Sequence, residues 1–256
     1  MTRDERRAAL EAIASEVRAC ERCRLHEGRT RAVPGEGDPD TEVVFVGEGP
    51  GFNEDREGRP FVGRAGGLLV RLLGSIGWQR EDVFITNVVK CRPPDNRDPQ
   101  PDEIAACAPF LRRQLEVLDP AIVVTLGRYS MGTFMPGARI GQVHGTSAPI
   151  DPQLGPGDAL AFAMYHPAAA LRTPSLERES FEDVARVPAL LLRSRERREA
   201  ARLEPVAQAG AAGPATPAPP LPDEAREPVG VMAPDLPDLA VVAEPTADDA
   251  SQLTLF

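Results

Sequence analysis

Three residues in this sequence stand where they could do chemistry, each at or near an apolar run. Asn87 lies in the run 82–89, "DVFITNVV". Its side chain carries a carbonyl acceptor beside an amide donor, which complements a pyrimidine edge that has O4 next to N3–H. The commoner fate of a lone Asn at a strand end is to bond nearby backbone. His166 ends the run 159–166, "ALAFAMYH", and is one of three histidines. A loop histidine before a proline is, taken alone, an ordinary surface residue. Phe61 sits among Arg, Pro and Gly in "GRPFVG", where it either lines a pocket or plugs the end of a sheet.

The four cysteines form a second constellation. Cys20 and Cys23 make "CERC", and Cys91 and Cys107 complete the set with none left over. The N-terminal stretch "MTRDERRAALEAIASEV" has the period of a charged amphipathic helix and no secretory signal,. A cytoplasmic chain is therefore expected, and disulfides are disfavoured there. The C-x-x-C ends a helix instead of following a strand, which argues against a redox motif. Spacing alone leaves tetrahedral zinc and an iron-sulfur cluster both open.

These residues need a scaffold, and the chain supplies an alternating one. Apolar runs at 42–47, 82–89, 121–127 and 159–166 alternate with helical patterns at 65–77 and 101–118. Runs that are apolar at consecutive positions suit parallel strands buried on both faces by helices. The expected fold is α/β, a three-layer α/β/α arrangement around a mostly parallel four-stranded sheet. Ligands of such sheets sit beyond the carboxyl ends of the strands, where Asn87 and His166 fall. The glycine-rich turn "GEGPGF" after the first run departs from a dinucleotide-binding loop, because Phe52 stands at the third glycine and the next helical pattern starts only after a long charged stretch,. The final helical pattern runs over 176–203 and is expected to kink at Pro188,.

Charge divides the chain at about residue 202. Residues 203–256 hold nine acidic residues and one basic one, Arg226, which leaves 28 basic and 30 acidic residues for 1–202. The nearly neutral body can carry a local basic face despite a net charge of −10,. The tail is rich in Pro, Ala and Gly and is read as disordered. The expected organisation is a domain over 1–202 and an acidic tail over 203–256. No apolar run approaches the roughly 20 residues that span a bilayer.

Taken in order, GEGPG, GRPFVG, NVVKCRPP, the cysteine set and YHP make the chain resemble the family 4 uracil-DNA glycosylases, the iron-sulfur branch of that superfamily, from about Cys20 to Arg198. The resemblance implies a [4Fe-4S] cluster on Cys20, Cys23, Cys91 and Cys107, and excision of uracil from single- or double-stranded DNA by a monomeric enzyme. It implies that Phe61 stacks on the flipped base, that Asn87 reads it, that Glu54 excludes the thymine methyl, and that His166 donates to the leaving uracil. Gly49 replaces the water-positioning aspartate of the best-known branch, which passes the polarising role to Glu48. Ala170 stands where a large aliphatic wedge is usual, with Leu171 next to it as the substitute. The rival reading is a non-catalytic DNA-binding module. The tail ends in "QLTLF", which resembles a peptide that docks on the sliding β-clamp through Gln252, Leu253, Leu255 and Phe256.

Overall fold

The computed structural model describes residues 1–203. The chain enters through helix α1 (Arg3–Arg18), whose start is closed by a reciprocal cap: Thr2 Oγ1 accepts from Glu5 N, and Glu5 Oε2 accepts from Thr2 N,. A short helix α2 (Leu25–Gly28) and strand β1 (Glu36–Gly37) lead to β2 (Val43–Gly47). Then come α3 (Phe52–Glu57), α4 (Arg64–Ser75), β3 (Phe84–Asn87), α5 (Pro101–Leu118) and β4 (Ile122–Leu126). Helices α6 (Arg128–Phe134) and α7 (Ile140–Val143) precede strands β5 (Ser147–Pro149) and β6 (Leu160–Met164). The described part closes with helices α8 (Pro167–Ala170), α9 (Pro174–Val184) and α10 (Val187–Leu203).

The strands form one sheet in the order β1-β3-β2-β4-β6-β5. The four central strands are parallel, and β1 and β5 pair antiparallel on the two edges. The four-stranded parallel sheet expected from the apolar runs is thus the centre of a six-stranded mixed one. The edge strands escape such a reading because they hold only "EG" and "SAP", too short and too polar to make a run.

Each central strand is buried on both faces. In β2, Val44 and Val46 pack with Leu10, Ile13 and Val17 of α1 and with Phe110 and Leu115 of α5. Their neighbours Val43 and Phe45 pack with Leu68, Leu69 and Leu72 of α4 and with Leu190 of α10. Alternate side chains of a strand point to opposite faces, so a sheet covered by helices on both sides must be apolar at every position. That is why the runs are continuous. Each fully buried aliphatic or aromatic side chain here contributes about 1.5–3 kcal/mol.

Two helical expectations are corrected. The charged stretch after "GEGPG" is helix α3 and not a loop. The pattern over 176–203 is two helices, α9 and α10, separated at Ala185–Arg186. Pro188 is the second residue of α10, where a missing N–H breaks no helical bond. No helix among the described residues is long and apolar enough to cross a membrane. The tail assigned above, apart from Leu203, lies outside the described residues, and with it the "QLTLF" end.

Candidate active site

Strand β2 is flanked by β3 on one side and β4 on the other, so the chain reverses its direction across the sheet at this point. The crevice beyond such a reversal is where open α/β sheets bind ligands. A cavity of about 560 Å³ lies there, and Glu48, Gly49, Glu54, Phe61, Asn87 and His166 all line it. Gly47 of β2 pairs with Asn87 of β3. A methyl carbon on Gly47 would lie 2.4 Å from Asn87 Oδ1 and 2.6 Å from Phe61 Cζ. Only glycine at this strand end lets the amide and the ring close together. Near Phe61 stands His166, with ring centroids 5.8 Å apart and planes at 31°.

Asn87 is 1% exposed, and its Oδ1 is buried without a hydrogen-bond partner. Its Oδ1 therefore does not take the backbone-capping role common for a strand-end Asn. An unpaired buried acceptor costs about 1–3 kcal/mol, so this oxygen marks a position held ready for a donor that the fold does not provide.

The two titratable groups are tuned in opposite directions. Burial, reinforced by the charge of Arg172 and opposed by Glu54, lowers the pKa of His166 to about 4. Its Nδ1 accepts from Ala168 N at 3.0 Å, which assigns the proton of the neutral ring to Nε2. Burial, with Asp98 adding and Arg128 opposing, raises Glu48 to about 7. The site thus holds a neutral N–H donor and a carboxyl group poised near neutrality.

Phe61 adopts φ 50°, a left-handed conformation that is strained for a bulky residue. Surrounding groups enforce it. Arg80 Nη1 donates to Phe61 O at 3.0 Å and Nη2 donates to Pro60 O, while Glu36 holds Arg80 Nε at 2.9 Å. Glu54 Oε1 accepts from Val62 N and Gly63 N, both at 2.9 Å. Gly66 admits the Phe61 carbonyl so closely that a methyl carbon there would lie 1.8 Å from it. Glu54 is therefore more than a wall of the cavity, since it also ties down the loop that carries Phe61.

A second, separate cavity is lined by all four cysteines together with Val17, Leu25 and Phe110. Cys20 and Cys23 follow α1 and are half-buried, whereas Cys91, after β3, and Cys107, in α5, are buried. Among the described residues no three His, Cys, Asp or Glu side chains form a group that could hold a single metal ion. The thiols border a common space without making one ion's ligand sphere. Burial raises the thiol pKa of Cys107 to about 11 and that of Cys91 above its ordinary value. Donors stand ready nevertheless: Arg29 Nη1 lies 3.1 Å from Cys91 Sγ, and Lys90 N lies 3.3 Å from Cys107 Sγ.

Comparison with known proteins places the chain. The sequence profile of the Uracil DNA glycosylase superfamily matches residues 34–187. The chain is 48% identical over 192 residues to the type-4 uracil-DNA glycosylase of Sulfurisphaera tokodaii, covering 72% of this chain and 86% of that one. It is 50% identical to the one from Saccharolobus solfataricus, covering 70% and 84%, and 44% identical to the one from Thermotoga maritima, covering 74% and 97%. The chain belongs to the type-4 uracil-DNA glycosylase family.

Of the two wedge candidates in this type-4 family member, Ala170 closes α8, is 1% exposed and packs in the core. Leu171 is only half-buried but packs on the same core. The cavity is instead bordered on this side by Ala168, Ala169 and Arg172. The sequence reading also passed over Arg97, Asp98, Arg128 and Tyr165, which line the cavity from the segment before α5, the first residue of α6 and the segment after β6. None carries a local signature, and only the fold brings them to one rim.

Proposed function

We propose that this type-4 family member hydrolyses the N-glycosidic bond of deoxyuridine in DNA and releases uracil, and that the unpaired, buried Asn87 Oδ1 beside the Phe61 ring carries this reading. The bond is inaccessible inside a stack, so the nucleotide must be extruded into the cavity. Phe61 stacks on the base, while Asn87 accepts from uracil N3–H and donates to O4. Cytosine reverses both polarities, and a site built for hydrogen bonds rejects it because its own groups are left unpaired. As the bond breaks, negative charge grows on uracil and the Nε2–H of His166 donates to O2. Glu48 accepts a hydrogen bond from the attacking water, and Glu54 crowds the position of the thymine methyl.

The experiment is uracil release from a labelled oligonucleotide, read by alkaline cleavage at the abasic site. The rate is expected to rise with pH through about 7 as Glu48 ionises and then to level off,. His166, neutral above about pH 4, adds nothing to that limb. Glu48→Gln should flatten it. No cut strand above a no-enzyme control would sink the reading, and an unchanged pH limb in Glu48→Gln would remove Glu48 from the chemistry.

The four cysteines are proposed to hold a [4Fe-4S] cluster. A cluster offers each thiolate a different iron, so its ligands need only surround a common space, as these do. Held by Cys20, Cys23, Cys91 and Cys107, it would join the segment after α1, the loop after β3 and helix α5, and its positive charge would compensate thiolates that burial otherwise disfavours,. Arg29 and the Lys90 amide donate to the sulfurs of Cys91 and Cys107.

The tail is proposed as a tether whose last residues, Gln252, Leu253, Leu255 and Phe256, dock on the sliding β-clamp. Three large apolar side chains in the last four residues of an acidic segment fit a docking peptide, and the tether raises the enzyme's local concentration near newly copied DNA. A titration of full-length protein against the clamp should saturate and should lose saturation on deletion of 252–256. Unchanged binding after that deletion would end the assignment.

A further inference from the structure

We propose that Phe52, flanked by Arg56 and Arg92, is a stacking platform for an unpaired nucleobase next to the extruded nucleotide, so that this face of the protein grips single-stranded DNA. The inference rests on the reading above that DNA is the substrate, and it extends the site beyond the uracil cavity.

Phe52 is 52% exposed, and among the described residues it is the one aromatic side chain in the set of exposed large hydrophobics. It opens α3 directly after Pro50 and Gly51, which line the cavity. The helix does not need the ring for its own anchoring. Its buried residue is Asp55, which accepts from Thr30 N at 2.9 Å and 3.1 Å through its two oxygens. Phe52 belongs to neither core cluster. An exposed ring at the mouth of a cavity, held on a helix fixed by other means, is open to a ligand that draws the overlying Arg56 and Arg92 side chains to itself.

The charges around it select the ligand. The guanidinium of Arg56, one helical turn on, lies 5.6 Å from the ring centroid, and that of Arg92 lies 5.3 Å from it. Arg92 comes from the loop between Cys91 and Pro93, and its Nε donates to Asn96 Oδ1 at 2.7 Å. Pro93 and Asn96 line the uracil cavity, so the platform and the cavity share a wall. A single ring between two cations is too small an apolar area for a protein partner, whose interface would cover far more surface. It suits a polyanion whose bases offer flat faces. Stacking on an aromatic ring tolerates any base, and adjacent arginines meet the phosphates. The small wedge agrees with this. With Ala170 buried and Leu171 packed on the core, little fills the gap left by a base pulled from a duplex, whereas a single strand leaves neighbouring bases free to stack.

The test uses a uracil-free single-stranded oligonucleotide, so binding is measured apart from base excision. Phe52→Ala should raise its Kd roughly 5- to 150-fold, the range for loss of one base–aromatic stack. Phe52→Trp should retain binding, and its fluorescence should be quenched on titration beyond the change given by the single native tryptophan, Trp78. Phe52→Leu, which keeps apolar bulk without a π face, should bind as weakly as Phe52→Ala. Equal Kd for wild type and Phe52→Ala, no added quench in Phe52→Trp, or full rescue by leucine would each overturn the platform. Uracil release by the wild-type protein, assayed in parallel, reports separately on the reading beneath it.

Discussion

Asn87→Ala is expected to lower uracil release by roughly 10²–10³-fold, the usual loss on removing one preorganised hydrogen-bonding group from a reacting site. Folding should survive intact. The Oδ1 of Asn87 has no partner in the protein, so its removal breaks no internal hydrogen bond there and relieves an unpaired buried acceptor. A thermal midpoint equal to or above that of wild type, together with the lost rate, would separate a recognition role from a structural one. Asn87→Asp asks more. A carboxyl at a position 1% exposed is pushed toward its protonated form by burial, and a protonated carboxyl can donate to cytosine N3 while accepting from its amino group. Cytosine release is therefore expected to appear and, relative to uracil release by wild type at the same pH, to strengthen as pH falls. Wild-type rates in Asn87→Ala, or no gain of cytosine activity in a folded Asn87→Asp, would remove Asn87 as the reader.

Cys107→Ser should have the largest effect on stability. The residue sits in α5 against the core that joins α1 to the sheet, and it is proposed to ligate the cluster that staples those segments. Loss of such a group belongs to the class of changes that cost about 5 kcal/mol or more. In a domain of this size that is a fall of about 10–20 °C in Tm. Anaerobically purified wild type should be brown and contain about four irons and four sulfides per chain, with visible absorption that bleaches on reduction. The variant should be pale. Colourless wild-type protein holding one zinc per chain would exclude the cluster, whatever the variant does.

The parts of the fold legible in the sequence were those with strong local physics. Helix α5 is bounded in the sequence by Pro101 and Leu118, as its periodicity predicts, and the continuous apolar runs report a sheet covered on both faces. Asn87 and His166 were legible because strand ends are where such sheets bind ligands, whereas Phe61, between α3 and α4, stood out only as an aromatic among Arg, Pro and Gly. Residues whose role depends on distant partners left no trace. Arg80 reads as a surface residue in "GWQRED", yet its guanidinium holds the Phe61 loop through two carbonyls. Lys90 reads as a loop lysine but is 1% exposed. Its Nζ donates to Thr86 Oγ1, the Asn87 carbonyl and Gln114 Oε1 at 2.6–2.8 Å, and burial lowers its pKa to about 8. The burial of Ala170 left no trace either, because its place in the motif says nothing of the core packed around it.

The buried Lys90 also bears on how such a site can change over generations. Its Nζ holds the carbonyl of Asn87 and its backbone amide reaches Cys107 Sγ, so Asn87, proposed above as the reader of the base, is joined to Cys107 by a single short strut. A substitution that re-aims Asn87 disturbs the cysteine cavity at the same time, and drift on this wall is penalised twice. The opposite wall, from Phe52 to Gly66, is held by Glu54 and Arg80, neither of which touches a cysteine. Substitutions on that wall leave the strut between Asn87 and Cys107 untouched, so the two walls are separable in their mechanical consequences.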